Sequence, residues 1–67
     1  MRFFNIDIDG IDGFDHWENY VVDDDELTEE EMFKDVRYAL MELSGGHADI
    51  WETDDDGNEM LFAEIEV

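Results

Sequence analysis

Twenty-two carboxylates stand against three basic side chains in 67 residues, a formal charge of −19. Like charge at this density destabilises any compact state through self-repulsion. A chain of this length has one small core to set against it, because it buries only about 60% of the surface that its unfolded form exposes. A single domain spanning residues 1–67 is therefore expected. Disorder is the other outcome that such charge allows, but 43% hydrophobic residues, an aromatic content of 13% and no proline are too apolar for a solvated tail. With no cysteine there is neither a disulfide framework nor a thiolate zinc site. The opening run Met1-Arg2-Phe3-Phe4-Asn5-Ile6-Asp7 lacks the apolar core of a signal peptide, and no apolar run approaches the ~20 residues of a membrane span. An anionic membrane surface would also repel the chain. The expectation is a cytoplasmic protein with no membrane partner.

The apolar residues that remain are placed with clear periodicity. From Phe3 to Asp9 they alternate, with Phe4, Ile6 and Ile8 on one face and Phe3, Asn5, Asp7 and Asp9 on the other, which predicts a strand. Asp9-Gly10-Ile11-Asp12-Gly13 has turn composition, and Trp17 to Val22 then forms either a second strand or an irregular cover. Asp23-Asp24-Asp25-Glu26 has no local counter-ion and reads as an exposed loop. Thr28-Glu29-Glu30-Glu31 has the form of a capping box, with three glutamates at the positive end of a helix dipole. Met32, Val36, Ala39, Leu40 and Leu43 follow at three- and four-residue spacing with Phe33 at the edge, one apolar stripe over about four turns. Ser44-Gly45-Gly46 ends the helix, with Gly45 suited to a left-handed cap. His47 to Thr53 and Glu59 to Val67 read as two strands around Asp54-Asp55-Asp56-Gly57-Asn58, a hairpin signal.

These elements predict an α+β fold in the order β-(β)-α-β-β: one amphipathic helix on a small, largely antiparallel sheet of three to four strands. The helix stripe should cover a face made by Phe4, Ile6, Ile8, Ile50, Leu61 and Ile65, with Ala48, Ala63 and Val67 beside them. The opposite face collects Phe3, Trp51, Met60 and Phe62 next to Asp7, Asp49, Glu64 and Glu66. A second small core of Phe14, Trp17, Tyr20 and Val21 is expected over it. Left uncovered, such a patch marks a dimer or partner contact, and both a monomer and a homodimer remain open.

Little in the sequence supports chemistry at a dedicated site. Against the calcium-loop pattern D-x-[DN]-x-[DN]-G-x5-E, Gly57 at the sixth position brings Ala63 to the twelfth, where a bidentate glutamate is required; Glu64 falls one residue late. Gly10 at the sixth position brings His16 to the twelfth. His16 and His47 are the two imidazoles and no dense zinc pattern contains them, so they read as turn or strand-edge residues. Neither a nucleophile motif nor a phosphate cradle is present, and Arg2, Lys34 and Arg37 are too few to hold a nucleic acid. The expectation is a protein that is not an enzyme, needs no cofactor and does not bind nucleic acid directly.

What the charge can do is engage a basic surface. Alternate residues on one strand face are about 6.6 Å apart at the ~3.3 Å rise per residue. Asp7 and Asp9, or Glu64 and Glu66, would thus present carboxylates at phosphate-like intervals to arginines. The residues expected to carry the contact are Asp7, Asp9, Asp12, Asp15, Asp23, Asp24, Asp25, Glu26, Glu29, Glu30, Asp54, Asp55 and Asp56, with Trp17 or Trp51 as aromatic anchor.

In its small size, its acidity, its capped helix and its terminal hairpin, the whole chain resembles the phage-encoded DNA mimics, which include anti-restriction, uracil-DNA glycosylase-inhibitor and anti-CRISPR proteins. Those groups share charge and size without sharing one fold or motif, so no residue role carries over. The resemblance implies a stoichiometric inhibitor, of anti-CRISPR type first, that blocks the duplex channel of a basic nucleic-acid-binding protein or nuclease complex in a bacterial host cytoplasm. A divalent-cation (calcium) module and a halophilic acidic accessory domain are the alternatives.

Overall fold

The computed structural model describes residues 1–23, 25 and 28–67. Strands β1 (Arg2–Gly10) and β2 (Gly13–Val22) form a hairpin, helix α1 (Glu29–Glu42) follows, and strands β3 (Gly46–Thr53) and β4 (Glu59–Glu66) form a second hairpin. The strands make one antiparallel sheet in the order β2-β1-β3-β4. This is the predicted α+β architecture, with Trp17 to Val22 settled as strand.

The alternation of β1 fixes which face is covered. Phe4, Ile6 and Ile8 are fully buried together with Val22 of β2 and Ala48 and Ile50 of β3, and Met32, Val36 and Leu40 descend onto them from α1. Truncating one of the large members of this group to alanine costs about 2–5 kcal/mol. Thr28 caps the helix, its Oγ1 accepting from the Glu31 amide at 3.3 Å. At the other end Gly45 has the expected positive φ (91°), and Ser44 before it is left-handed as well (φ 67°). The Gly45 amide then donates to the Leu40 carbonyl at 2.7 Å and the Ser44 amide to that of Met41 at 3.2 Å, closing the last turn.

Two irregularities alter the side-chain pattern read from the sequence. Between β3 and β4 the register slips by one residue, so that Ile50 opposes Ala63 while Trp51 opposes Leu61. The extra residue, Phe62, turns to the helix side, where its ring lies edge-on to Phe4 at 5.1 Å and stacked on Phe33 at 6.2 Å. Leu61, expected in the core, is displaced to the opposite face and is 48% exposed. Between β1 and β2 a second bulge surrounds Asn19, whose backbone is left-handed (φ 55°) and whose amide donates to Asn5 Oδ1 at 3.1 Å.

The second core over the outer face does not form. Because Phe4 pairs with Tyr20 and Ile6 with Trp17, both aromatics lie on the helix side, stacked on each other at 6.0 Å. Tyr20 donates its hydroxyl proton to Asp35 of α1 at 2.5 Å. Phe14 is left 85% exposed. Among the described residues, nothing covers the outer face of the sheet.

Candidate partner-binding surface

Cross-strand pairing sorts the uncovered face into rows. One row runs His16, Asp7, Asp49, Glu64 across β2, β1, β3 and β4. The next runs Phe14, Asp9, His47, Glu66. Neighbouring strands are about 4.8 Å apart, so Asp7, Asp49 and Glu64 stand abreast as three like charges on three consecutive strands. Toward the other end of the same face apolar side chains enter among polar ones: Asn5, Trp51 and Leu61 in one row, Val21, Phe3, Thr53 and Glu59 in the next, with Asn5 donating to Glu59 at 2.7 Å. Phe3 is 41% exposed and Trp51 half-buried.

Both imidazoles of the chain sit inside the acidic half. The His16 ring donates from Nδ1 to Asp7 Oδ1 at 2.5 Å, with Glu18 at 3.3 Å from Nε2. His47 places Nε2 at 2.8 Å from Asp49 Oδ1 and 3.7 Å from Glu64, and Nδ1 at 3.4 Å from Glu66. These bonds, first to Asp7 and first to Asp49, raise both imidazoles above their ordinary range by favouring the charged ring. The ligand atoms of His47, Asp49 and Glu64 all lie within 4.8 Å of one another, a spacing that would admit a divalent ion. A shallow concavity of about 430 Å³ opens between Asp7, Asp9, Phe14, His16, His47 and Asp49.

The basic side chains are elsewhere. Arg2 lies on the helix side of β1, where Nε and Nη2 donate to the two carboxylate oxygens of Glu52 at 2.9 and 3.0 Å and Nη1 donates to Glu29. Its guanidinium rests over the rings of Phe4 and Phe62, 5.1 and 5.0 Å from their centroids. Lys34 and Arg37 are exposed on α1 beside Glu30, Glu31 and Phe33. No lysine or arginine thus reaches the open sheet face, where acids and apolar residues share the surface.

The residues expected to bind a partner divide among several places. Asp7 and Asp9 are on the open face. Asp23, Asp25, Glu29 and Glu30 gather with Asp54, Asp55 and Asp56 at the end of the sheet where β1 begins, because Phe3 pairs with both Val21 and Thr53. Within that rim Asp54 is a turn residue, its Oδ1 accepting from the amides of Asp56 and Asn58 at 3.0 and 2.8 Å, and Glu29 pairs with Arg2. Asp12 is at the opposite end, accepting from the Ser44 hydroxyl. Asp15 opposes buried Ile8 and accepts from its neighbour Trp17 Nε1 at 3.1 Å. Asp24 and Glu26 lie outside the described residues. Of the two tryptophans, Trp51 is on the open face and Trp17 is on the helix side. Asp49, Glu64, Glu66 and the two histidines complete the acidic patch; the three acids were expected on this face, with Glu64 and Glu66 as a carboxylate pair, whereas the histidines were read as turn or strand-edge residues. The signal for Asp49 was its place between Ala48 and Ile50, which strand alternation must turn outward.

Among the described residues no helix is long and apolar enough to cross a membrane. No protein-family model, curated protein or solved structure matches this chain.

Proposed function

We propose that the protein is a stoichiometric inhibitor that presents nucleic-acid-like charge and blocks the basic duplex-binding channel of a DNA-processing or host-defence complex, a CRISPR nuclease being the first candidate. The observation that supports this most is the row Asp7, Asp49, Glu64. Like charges placed directly opposite one another destabilise a sheet, and this chain keeps three abreast on its uncovered face. Such a row weakens the fold and is useful when a cationic surface is to be met. The arrangement is rigid, carried by strands and not by a tail, so little ordering entropy is lost on docking. A contact of this kind associates fast and weakens steeply with salt.

The test is competition. A fluorescently labelled duplex bound to a purified guide-loaded nuclease, and in parallel to a restriction endonuclease, is titrated with the protein at about 0.15 M salt. Displacement that saturates near one protein per complex supports the reading. A labelled duplex that stays bound in both systems at a large excess of the protein rejects it for these targets.

A further inference from the structure

We infer that the open sheet face is an arginine-reading surface, and that its occupant is an arginine-bearing patch of a folded protein partner. The inference rests on the proposed function and deepens it, since it names the contact face and the chemistry that the face selects. The chain shows on its helix side how it holds a guanidinium: Arg2 sits over two aromatic rings while Glu52 grips it with both carboxylate oxygens. The open face offers the same two ingredients without a resident arginine. Trp51 stands two residues from Asp49 on one strand face, and Phe3 stands four residues from Asp7 on another. The planar guanidinium suits this pairing of a π face with a carboxylate fork, whereas an ammonium gains only from the charge.

Charge decides among the possible occupants. A second copy brings another −19 and faces repulsion across the whole contact. A neutral apolar partner would cover Phe3, Val21, Trp51 and Leu61 but would desolvate Asp7, Asp9, Asp49, Glu64 and Glu66 without pairing them. An arginine-bearing surface satisfies both halves, its guanidinium groups bonding the acids and its apolar stems lying on the aromatic half. The face is distinct from the rim of Asp25, Asp55 and Asp56, turn residues at the end of the sheet where β1 begins.

Two peptides of equal length and charge, nona-arginine and nona-lysine, serve as probes at about 0.15 M salt. In a Trp17→Phe background Trp51 is the sole tryptophan and reports the face directly. Nona-arginine should change its emission saturably and bind at least about fivefold more tightly than nona-lysine, a preference that Trp51→Ala removes when binding is followed by calorimetry. The triple variant Asp7→Asn, Asp49→Asn, Glu64→Gln should weaken nona-arginine by about tenfold or more, and the rim triple Asp25→Asn, Asp55→Asn, Asp56→Asn, equal in charge change, by no more than about threefold. Circular dichroism confirms that each variant is folded. Equal losses from the two triples, or equal affinity for the two peptides, overturn the inference while leaving a basic partner in place. Absence of binding to either peptide counts against the proposed function itself.

Discussion

Asp7 and Asp49 oppose each other directly at the centre of the sheet, on the two inner strands and on the face that nothing covers. Each leans on an imidazole, His16 for Asp7 and His47 for Asp49, and Glu64 extends the line onto β4. A sheet selected for stability alone would place opposite charges or β-branched residues there.

Neutralising one member of this pair should stabilise the fold. At about pH 9, above the titration of free imidazole, Asp7→Asn and Asp49→Asn should each raise the free energy of unfolding by about 0.2–1 kcal/mol. Urea denaturation measures it. Unchanged or reduced stability in both variants would mean that the opposed charges are not a source of strain.

Screening should stabilise the protein for the same reason. The Debye length falls from about 30 Å at about 0.01 M salt to about 8 Å at 0.15 M, against a molecule of 34 × 24 × 15 Å. At the lower salt nearly every carboxylate feels every other one, and at the higher salt only near neighbours interact. The melting temperature should rise over this interval with sodium chloride alone. A flat profile would contradict a strongly repulsive folded state.

Protonation of His16 adds a pH dependence whose sign follows from its neighbours. Asp7 and Glu18 raise this imidazole in the folded state above its unfolded value. Its contribution is complete below the ordinary imidazole value of about 6.5 and is lost as pH rises through the raised folded value. Stability should therefore decline as the pH moves upward from about 6.5, and His16→Gln should flatten that part of the profile. Glu52 behaves in the opposite sense. Arg2 holds it below the usual carboxylate range, so its contribution is present above that range and is lost as pH falls through the lowered value. Arg2→Met should flatten the acid limb.

Gly10 marks where the end of the helix meets the sheet. It opposes Gly13 on one side and Gly46 on the other, and a Cβ at Gly10 would collide with the Cβ of Leu43. Gly10→Ala should cost about 1–3 kcal/mol through this overpacking. Thermal denaturation of the variant, with Gly57→Ala at the hairpin as a strained but uncrowded control (φ 84°, no atom within 4 Å of the added carbon), separates crowding from backbone conformation.

The parts of the fold written in strict periodicity were legible in the sequence. Phe4, Ile6 and Ile8 at period two, and Met32, Val36 and Leu40 at helical spacing, could meet only as one sheet face under one helix. The bulges were not legible. An extra residue in a strand leaves no compositional mark when its neighbours are all apolar, so Leu61 and Phe62 exchanged faces without any change that a pattern could register. The same limit applied to Tyr20, whose side of the sheet depends on the bulge at Asn19, whereas Trp17 precedes the bulge and keeps its register with Ile6. The acidic surface was legible in amount but not in place. Runs such as Asp54 to Asp56 stand out in a sequence, whereas Asp7, Asp49 and Glu64 are far apart in the chain and become a row only through strand register.

The most direct test is the duplex-displacement titration carried out with three proteins of known stability: the parent, the face triple Asp7→Asn, Asp49→Asn, Glu64→Gln, and the rim triple Asp25→Asn, Asp55→Asn, Asp56→Asn. The parent and the rim triple should release labelled duplex from a guide-loaded nuclease at similar concentrations, while the face triple should need about tenfold more or fail. Release by the face triple at the parent's concentration would mean that the open sheet face does not carry the contact.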